Sequence, residues 1–158
     1  MRTDQRQPIV EYVDGSAVFR GYLPRHARLR DFVELIWRVS GEPDVASERV
    51  LPNGALELIV NLGPAHVVHE RHGDTTFRRA WIAGLQRGPL DIGMTSRVSE
   101  LVGIRFRPGG ALPMIGTPLR ELTDRVVELE GKGTEDIREL RDRMLEVGHQ
   151  WRVPEPTN

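Results

Sequence analysis

The feature that most constrains the fold is a succession of short runs in which apolar and polar residues alternate. Two of these runs, 9–13 and 17–22, flank an Asp-Gly turn of the kind that closes a β-hairpin. The others occupy 48–51, 55–62, 65–71, 75–83, 90–94 and 98–107, and turn residues such as Pro-Asn-Gly and His-Gly-Asp separate them. Seven or eight strands with turns about every 8–12 residues are typical of an antiparallel barrel or sandwich.

Four other segments have helical spacing. Apolar residues between Leu29 and Trp37 fall at i, i+3, i+4, i+7 and i+8, which predicts a short helix, although the β-branched and aromatic end of this segment could equally be extended. Residues 111–116 and 118–123 predict two more short helices. Thr134 is predicted to N-cap a final amphipathic helix by accepting a first-turn amide. This helix is predicted to end at residues 148–150, and its apolar stripe is Ile137, Leu140, Met144 and Leu145.

The length of the chain and its apolar content set the domain organisation. A chain of 158 residues, 39% of them hydrophobic, suits one core. We expect a disordered leader at 1–8, a single domain at 9–147 and a tail or linker at 148–158. Apolar runs are far shorter than the roughly 20 residues of a membrane span, and the first residues lack the apolar stretch of a secretion signal. We therefore expect a cytoplasmic protein with no membrane contact.

The composition argues against several kinds of chemistry. The absence of cysteine excludes disulfides, thiolate-bound zinc, iron–sulfur clusters and a cysteine nucleophile. A net charge of −1 lacks the basic excess of autonomous nucleic-acid-binding proteins. The short motifs of serine hydrolases, zinc proteases and nucleotide-binding loops are also missing from the sequence. We expect a protein that is not an enzyme and carries no cofactor.

Charged residues on two predicted strands are candidates for a ligand site. Alternation places Arg105 and Arg107 on one face of the 98–107 strand, and Glu57 and Asn61 on one face of the 55–62 strand. The two guanidinium groups could line a cavity and bind a carboxylate or phosphate. The commoner fate of such charges is a cross-strand ion pair, here between Arg105 and Glu57, or a solvated face.

Aromatic residues and histidines supply further candidates. Trp37 and Trp81 could form the wall of a pocket for an apolar effector, with core packing as the alternative. The histidines at 66, 69 and 72 invite a metal hypothesis, in which His66 and His72 share a strand face with Glu70. Since His72 adjoins the turn, an exposed hairpin is the preferred interpretation, and we assign no metal.

Four separated strings resemble one protein family. They follow the aromatic segment 29–37 and occur in the same order as in that family. They are similar to the N-terminal sensor and dimerisation domain of a subgroup of AraC-type transcriptional regulators with uncharacterised ligands. The resemblance covers about residues 22–147. Asn53 replaces the aspartate usual in the family turn, and both residues tolerate such turns. The strings are Glu-Arg-Val-Leu-Pro-Asn-Gly-Ala-Leu-Glu-Leu-Ile-Val-Asn-Leu-Gly (48–63), Ala-Gly-Leu-Gln-Arg-Gly-Pro (83–89), Val-Gly-Ile-Arg-Phe-Arg-Pro-Gly-Gly-Ala (102–111) and Leu-Arg-Glu-Leu-Thr-Asp-Arg-Val-Val-Glu-Leu (119–129).

The resemblance implies a regulatory domain of the α+β class: an antiparallel β-barrel or sandwich, cupin-like, with short helices and a C-terminal amphipathic helix. It implies an unknown small-molecule effector, a homodimer, or both, with the final helix passing on the effector's presence. DNA contact is expected only through a helix-turn-helix module that these 158 residues do not contain. The alternative is a stand-alone dimerisation or small-molecule-binding cupin-like protein.

Overall fold

The computed structural model describes residues 7–131 and 133–150, so the expected leader up to residue 6 and the expected tail from residue 151 lie outside the described residues. In the described residues there are eleven strands, two short 3-10 helices (Ala27–Leu29 and Leu119–Leu122) and one α-helix, α1 (Glu135–Gln150). The strands are β1 (Val10–Asp14), β2 (Ala17–Tyr22), β3 (Val33–Gly41), β4 (Ser47–Val50), β5 (Glu57–Asn61), β6 (His66–Glu70), β7 (Gly73–Phe77), β8 (Ala80–Ala83), β9 (Leu90–Met94), β10 (Ser99–Phe106) and β11 (Val126–Glu128).

The strands form two antiparallel sheets. The larger has the order β1-β2-β3-β10-β5-β8-β11, and the smaller has the order β4-β9-β6-β7. Buried residues from both sheets pack against one another in an inner core that includes Leu35, Trp37, Ile59, Val68 and Trp81. Since no strand belongs to both sheets, the arrangement is a sandwich, and the expected α+β class with an antiparallel sandwich is confirmed.

A second core, which we call the outer core, covers the opposite face of the larger sheet. Leu58, Ile82 and Phe106 project from the sheet into it, and they meet residues that follow β10 in the chain, among them Leu122 and Ile137. The larger sheet is therefore buried on both faces through its central strands, as the largely apolar composition of β5 predicts.

The predicted hairpin near the beginning of the chain is confirmed. β1 and β2 pair in the register Asp14↔Ala17, and Gly15 in the turn has a φ of +61°, a left-handed conformation that favours glycine. The 90–94 run is β9 with the predicted bounds, whereas the 75–83 run contains two strands, β7 and β8, that belong to different sheets.

The predicted helix at 29–37 is wrong. Only a 3-10 turn at Ala27–Leu29 precedes β3, which pairs with β2 on one side and β10 on the other. Leu35 and Trp37 are buried, and the residues between and beside them are more exposed. This alternation of burial has the two-residue period of a strand. The β-branched and aromatic content of the segment fits this position, and the two neighbouring strands satisfy its backbone hydrogen bonds.

The segment after β10 differs in part from its predicted helices. Residues 111–116 form successive turns instead of a helix, while the second predicted helix is present as the 3-10 helix Leu119–Leu122. Strand β11 is not among the predicted strands; it is only three residues long and forms because it pairs with the edge of β8.

Helix α1 is present with the predicted ends. It begins at Glu135, directly after Thr134, and it ends at Gln150, within the predicted end at 148–150. The Thr134 hydroxyl donates a 2.7 Å hydrogen bond to the Gly131 carbonyl, and the Thr134 backbone carbonyl, rather than its hydroxyl, accepts a hydrogen bond from a helix amide, that of Arg138, at 3.0 Å. Glu135 instead accepts a hydrogen bond from the amide of Gly133. None of the described helices is long and apolar enough to cross a membrane.

Gly103 provides a test of the packing between β3 and β10. It lies opposite Trp37 in the strand register, and a Cβ added to it would overlap the indole ring of Trp37. We expect Gly103→Ala to lower the free energy of unfolding by about 1–3 kcal/mol, measured by urea denaturation. The control is Gly116→Ala, where a Cβ has no atom within 4 Å and the expected change is under about 0.5 kcal/mol. Equal stabilities of the two variants would contradict this packing.

Candidate functional site

A cavity of about 290 Å³ lies between the two sheets. We call it the inter-sheet cavity. Its wall is largely apolar and draws on both sheets: Phe19, Trp37, Ile59, Trp81 and Leu101 come from the larger sheet, and Val68, Leu90 and Ile92 from the smaller. The volume is at the lower end of the range of small-molecule pockets.

Aromatic rings form a continuous part of this wall. Phe19 stacks on Trp37 with ring centroids 5.7 Å apart, and Tyr12 stacks on Phe19 at 4.7 Å. Trp81 packs at a tilt against His66, with centroids 5.9 Å apart. Both tryptophans singled out in the sequence, Trp37 and Trp81, are therefore cavity residues as well as core residues.

Arg105 and Glu57 place an ion pair in the cavity wall. They are directly opposite in the β10–β5 register, and Arg105 Nε donates a 2.6 Å hydrogen bond to Glu57 Oε1. The side chains are 29% and 16% exposed, so the pair is only partly screened by water. The cross-strand pair that alternation indicated is present, and a ligand role for the two residues stays a prediction.

His66 and Ser99 add a second polar group to the wall. His66 is 4% exposed, and its Nε2 lies 3.3 Å from the Ser99 hydroxyl. Burial lowers the pKa of His66 below its ordinary value of 6.5, and the Pro64 backbone carbonyl opposes part of that shift. His66 is therefore neutral near pH 7.

Two buried ring nitrogens in the cavity wall lack partners of normal hydrogen-bond geometry. They are Trp37 Nε1 and His66 Nδ1. In the part of the chain that the structure describes, these are the two buried side-chain nitrogen or oxygen atoms without a hydrogen-bond partner. Because a buried polar atom without a partner costs on the order of 1–3 kcal/mol, such atoms favour occupation by a group that can bond with them.

Polar groups also surround Tyr12, in another part of the cavity wall. Burial, Glu48 and Asp14 raise the pKa of the Tyr12 phenol, and Arg105 opposes the shift, so each of these charged groups lies within electrostatic range of Tyr12. Asp14, Glu48 and Arg105 also line the cavity. This side of the cavity therefore presents carboxylates and a phenol close to the guanidinium of Arg105.

Two predicted site residues lie elsewhere. The register of β10 against β3 shifts between Arg105 and Phe106, and beyond this irregularity Arg107 donates from Nε to the Arg30 carbonyl at 2.7 Å. Arg105 and Arg107 therefore do not act together, although alternation predicted a shared face. Asn61 is completely buried and bonds with the backbone at Gly63, Pro64 and Arg78, outside the inter-sheet cavity.

The other two histidines of the metal hypothesis, His69 and His72, lie along the β6–β7 hairpin. His69 Nδ1 pairs with Asp74 at 2.9 Å, and Glu70 and His72 are exposed near the turn. Across residues 7–131 and 133–150, no three histidine or acidic side chains come together as a metal-binding group. Of the weak metal candidates His66, His72 and Glu70, only His66 lines the inter-sheet cavity.

Three residues that line the cavity are not among the candidates predicted from the sequence: Ser99, Tyr12 and Glu48. A signal for Ser99 existed, because Ser99, Leu101, Gly103 and Arg105 alternate along β10 and share one face. Nothing local distinguished Tyr12 and Glu48, since their position depends on how β1 and β4 approach each other from different sheets.

A family model described as "Domain of unknown function (DUF6597)" matches residues 21–128, about two thirds of the chain. The chain belongs to the DUF6597 family. The matched range runs from the end of β2 to the end of β11, so the DUF6597 domain contains most of the inter-sheet cavity, and α1 follows it. No curated protein sequence matches the chain.

Solved structures similar to this DUF6597 domain include the Fe(II) form of HppE, at 12% identity and a TM-score of 0.47 over 67% of this chain and 59% of that one. Another is a variant of Bacillus subtilis oxalate decarboxylase OxdC, at 11% identity and a TM-score of 0.46 over 80% of this chain and 42% of that one. The chain thus spans less than two thirds of either protein, and neither similarity bears on what this domain binds.

The lowered pKa of His66 predicts a pH dependence of stability. The unfolded chain binds this proton more readily than the folded one, so neutral His66 stabilises the fold above about pH 6.5, and that contribution falls as the pH drops below it. We expect urea denaturation between about pH 7.5 and pH 5.5 to show a steeper loss of stability for the wild type than for His66→Gln.

The control for this experiment is His72→Gln, which removes an exposed histidine on the same hairpin and should keep the wild-type pH dependence. Parallel stability profiles for the wild type and His66→Gln would show that burial of His66 does not depress its pKa.

Proposed function

We propose that this DUF6597 domain is a regulatory domain that binds a small molecule between its two sheets. The observation that carries the proposal is the inter-sheet cavity of about 290 Å³, whose lining is largely aromatic and aliphatic and includes the Arg105–Glu57 ion pair and the side chains of Trp37 and His66, each of which has a buried ring nitrogen without a hydrogen-bond partner. Convergent polar groups in a mostly apolar pocket are the usual composition of a small-molecule site.

The chemistry of the wall defines the class of ligand. The rings of Trp37, Trp81 and Phe19 favour a flat or compact apolar body. Trp37 Nε1 is a donor without an acceptor, and Arg105 is bonded to Glu57 through Nε. Since Asp14, Glu48 and Glu57 line the cavity with Arg105 as the single guanidinium among its lining residues, the ligand we propose is a small, largely apolar and uncharged compound that carries an oxygen acceptor such as a carbonyl or hydroxyl.

We propose binding without catalysis. Arg105 and Glu57 neutralise each other, and His66 has only the Ser99 hydroxyl as a side-chain partner in the described structure. Groups arranged in this way are suited to hold a ligand in place. They supply no evident acid, base and nucleophile around one reacting atom.

The regulatory part of the proposal rests on the resemblance to AraC-type transcriptional regulators. The strings that carry it, 48–63, 83–89, 102–111 and 119–129, lie mostly within the range that matches the DUF6597 model. Within this proposal, α1 passes the state of the cavity to a DNA-binding helix-turn-helix module outside the 158 residues, in a cytoplasmic regulator. Ile137 of α1 packs against the outer core, which provides the physical contact between the helix and the sandwich.

The ligand proposal is tested with a panel of probes: benzoate, salicylate, 4-hydroxyphenylacetate and neutral benzyl alcohol. We expect neutral benzyl alcohol to raise the melting temperature saturably, to give a binding isotherm by calorimetry and to bind more tightly than the three acids, because a ligand of the folded state stabilises by RT ln(1 + [L]/Kd) and the carboxylates of the wall repel an anion. Ile92→Phe, which adds volume inside the cavity, should abolish both effects.

The matched control is Val67→Phe, at a half-buried position on the same sheet whose neighbours in β6, His66 and Val68, line the cavity while Val67 itself does not. This variant should bind like the wild type. Failure of all four probes, or undiminished binding by Ile92→Phe, would count against this ligand class in the inter-sheet cavity.

Dimerisation is the second function we propose, and the exposed apolar residues of α1 favour it. Leu140 is 36% exposed and Val147 is 52% exposed on this helix, so part of its apolar surface is not covered by its own domain. A second copy of the chain packing helix against helix would cover that surface.

We expect Leu140→Glu to convert a dimer to a monomer in size-exclusion chromatography with light scattering, because a carboxylate would be buried in the helix contact. Leu112→Glu, the same change at an exposed leucine outside α1, should leave the mass unchanged. A monomeric wild type, or a dimeric Leu140→Glu variant, would contradict a dimer formed through α1.

A further inference from the structure

A second cavity lies on the opposite side of the larger sheet from the inter-sheet cavity, at the junction with α1. It has a volume of about 530 Å³, and four arginines line it: Arg78 and Arg79 from the connection between β7 and β8, and Arg138 and Arg141 from α1. We call it the arginine groove. It joins the sandwich to the helix, and neither the proposed ligand site nor the dimer contact includes it.

The charge of the arginine groove is unbalanced. Two carboxylates, Glu130 and Asp142, line it together with the four guanidinium groups. Other arginines of the chain pair with acidic side chains, as Arg49 does with Asp91 and Arg143 with Glu139. Over the described range, the guanidinium groups of Arg78, Arg79 and Arg138 form no ion pair, and the groove therefore attracts anions.

Asn61 holds the groove in shape. Its side-chain amide donates to the Arg78 carbonyl at 2.9 Å, and its backbone amide donates to the Arg79 carbonyl at 2.8 Å. Its own carbonyl accepts a 2.7 Å hydrogen bond from Arg141 Nε. One completely buried residue thus bonds to three of the four arginine positions.

Glu128 fixes the same connection from β11. Its carboxylate accepts hydrogen bonds from the backbone amides of Arg78 and Arg79, at 3.1 and 3.0 Å. The backbone at Arg78 and Arg79 is therefore already ordered without an anion, which lowers the conformational entropy lost on binding.

We propose that the arginine groove binds a multiply charged phosphate anion that bridges the sandwich and α1. Guanidinium groups bind phosphate oxygens in bidentate pairs, and arginines on two different elements can engage two phosphate groups at once. The volume of the groove exceeds what one phosphate fills, which favours a diphosphate or a phosphate ester with a second anionic group. Such an anion fastens α1 to the sandwich.

Inorganic pyrophosphate is the probe for the first experiment, titrated by calorimetry at constant ionic strength because salt screens exposed charges. We expect saturable one-to-one binding to the wild-type chain. Arg138→Gln should weaken it at least tenfold, and Arg79→Gln should do the same from the other wall. Arg143→Gln removes the same charge from α1 outside the groove, and should change the affinity less than twofold.

Three outcomes would overturn the proposal. They are no saturable heat with the wild type, an equal loss of affinity in Arg143→Gln and Arg138→Gln, and citrate binding as tightly as pyrophosphate, which would show selection for charge alone. Ile92→Phe should bind pyrophosphate like the wild type, so the result is independent of the ligand proposed for the inter-sheet cavity.

Discussion

The alternation of side chains along β10, the central strand of the larger sheet, is the constraint on which the other parts of the structure depend. Ile104 and Phe106 enter the outer core, while Leu101 and Arg105 face the inter-sheet cavity. A slip of one residue against β5 would move the Arg105 guanidinium into the apolar core and separate it from Glu57. Because an unpaired buried charge costs several kcal/mol, this register is strongly specified. The pairing with Glu57 is thus both a cavity feature and a determinant of the fold.

The inter-sheet cavity exists because its lining combines large and small side chains. The indoles of Trp37 and Trp81 keep the sheets apart, whereas Ala83 and Ser99 fill little of the space between them. Protein interiors are ordinarily close-packed, so a cavity of this size depends on the side chains that line it. Larger side chains could close the same space, whereas a cavity with polar groups in its wall accommodates either water or the ligand proposed above.

Local signals account for the parts of the fold that the sequence predicted. The β1–β2 hairpin follows from its Asp-Gly turn and α1 from its apolar stripe, and both form largely from residues near in sequence. The segment 29–37 fits a helical stripe and a strand equally well, and pairing with β10, more than sixty residues later, decides for the strand. Within the candidate site, the Arg105–Glu57 pair was predictable because alternation is a local property. The contact of His66 with Ser99 depends on how the two sheets stack, and the arginine groove depends on where α1 packs. Neither contact produces a periodic pattern in the sequence from which it could be predicted.

Strand β5 connects the two sites physically. Glu57 at its beginning is part of the inter-sheet cavity, and Asn61 at its end organises the arginine groove and bonds with Arg141 of α1. The two residues are four apart in an extended strand, which corresponds to roughly 13 Å. Because β5 is buried and hydrogen-bonded on both sides by β10 and β8, it cannot bend freely between these points. Glu57 and Asn61 are therefore held in a fixed relation along one buried strand. Through Asn61, α1 is bonded to a strand whose other end lines a cavity that α1 itself does not line.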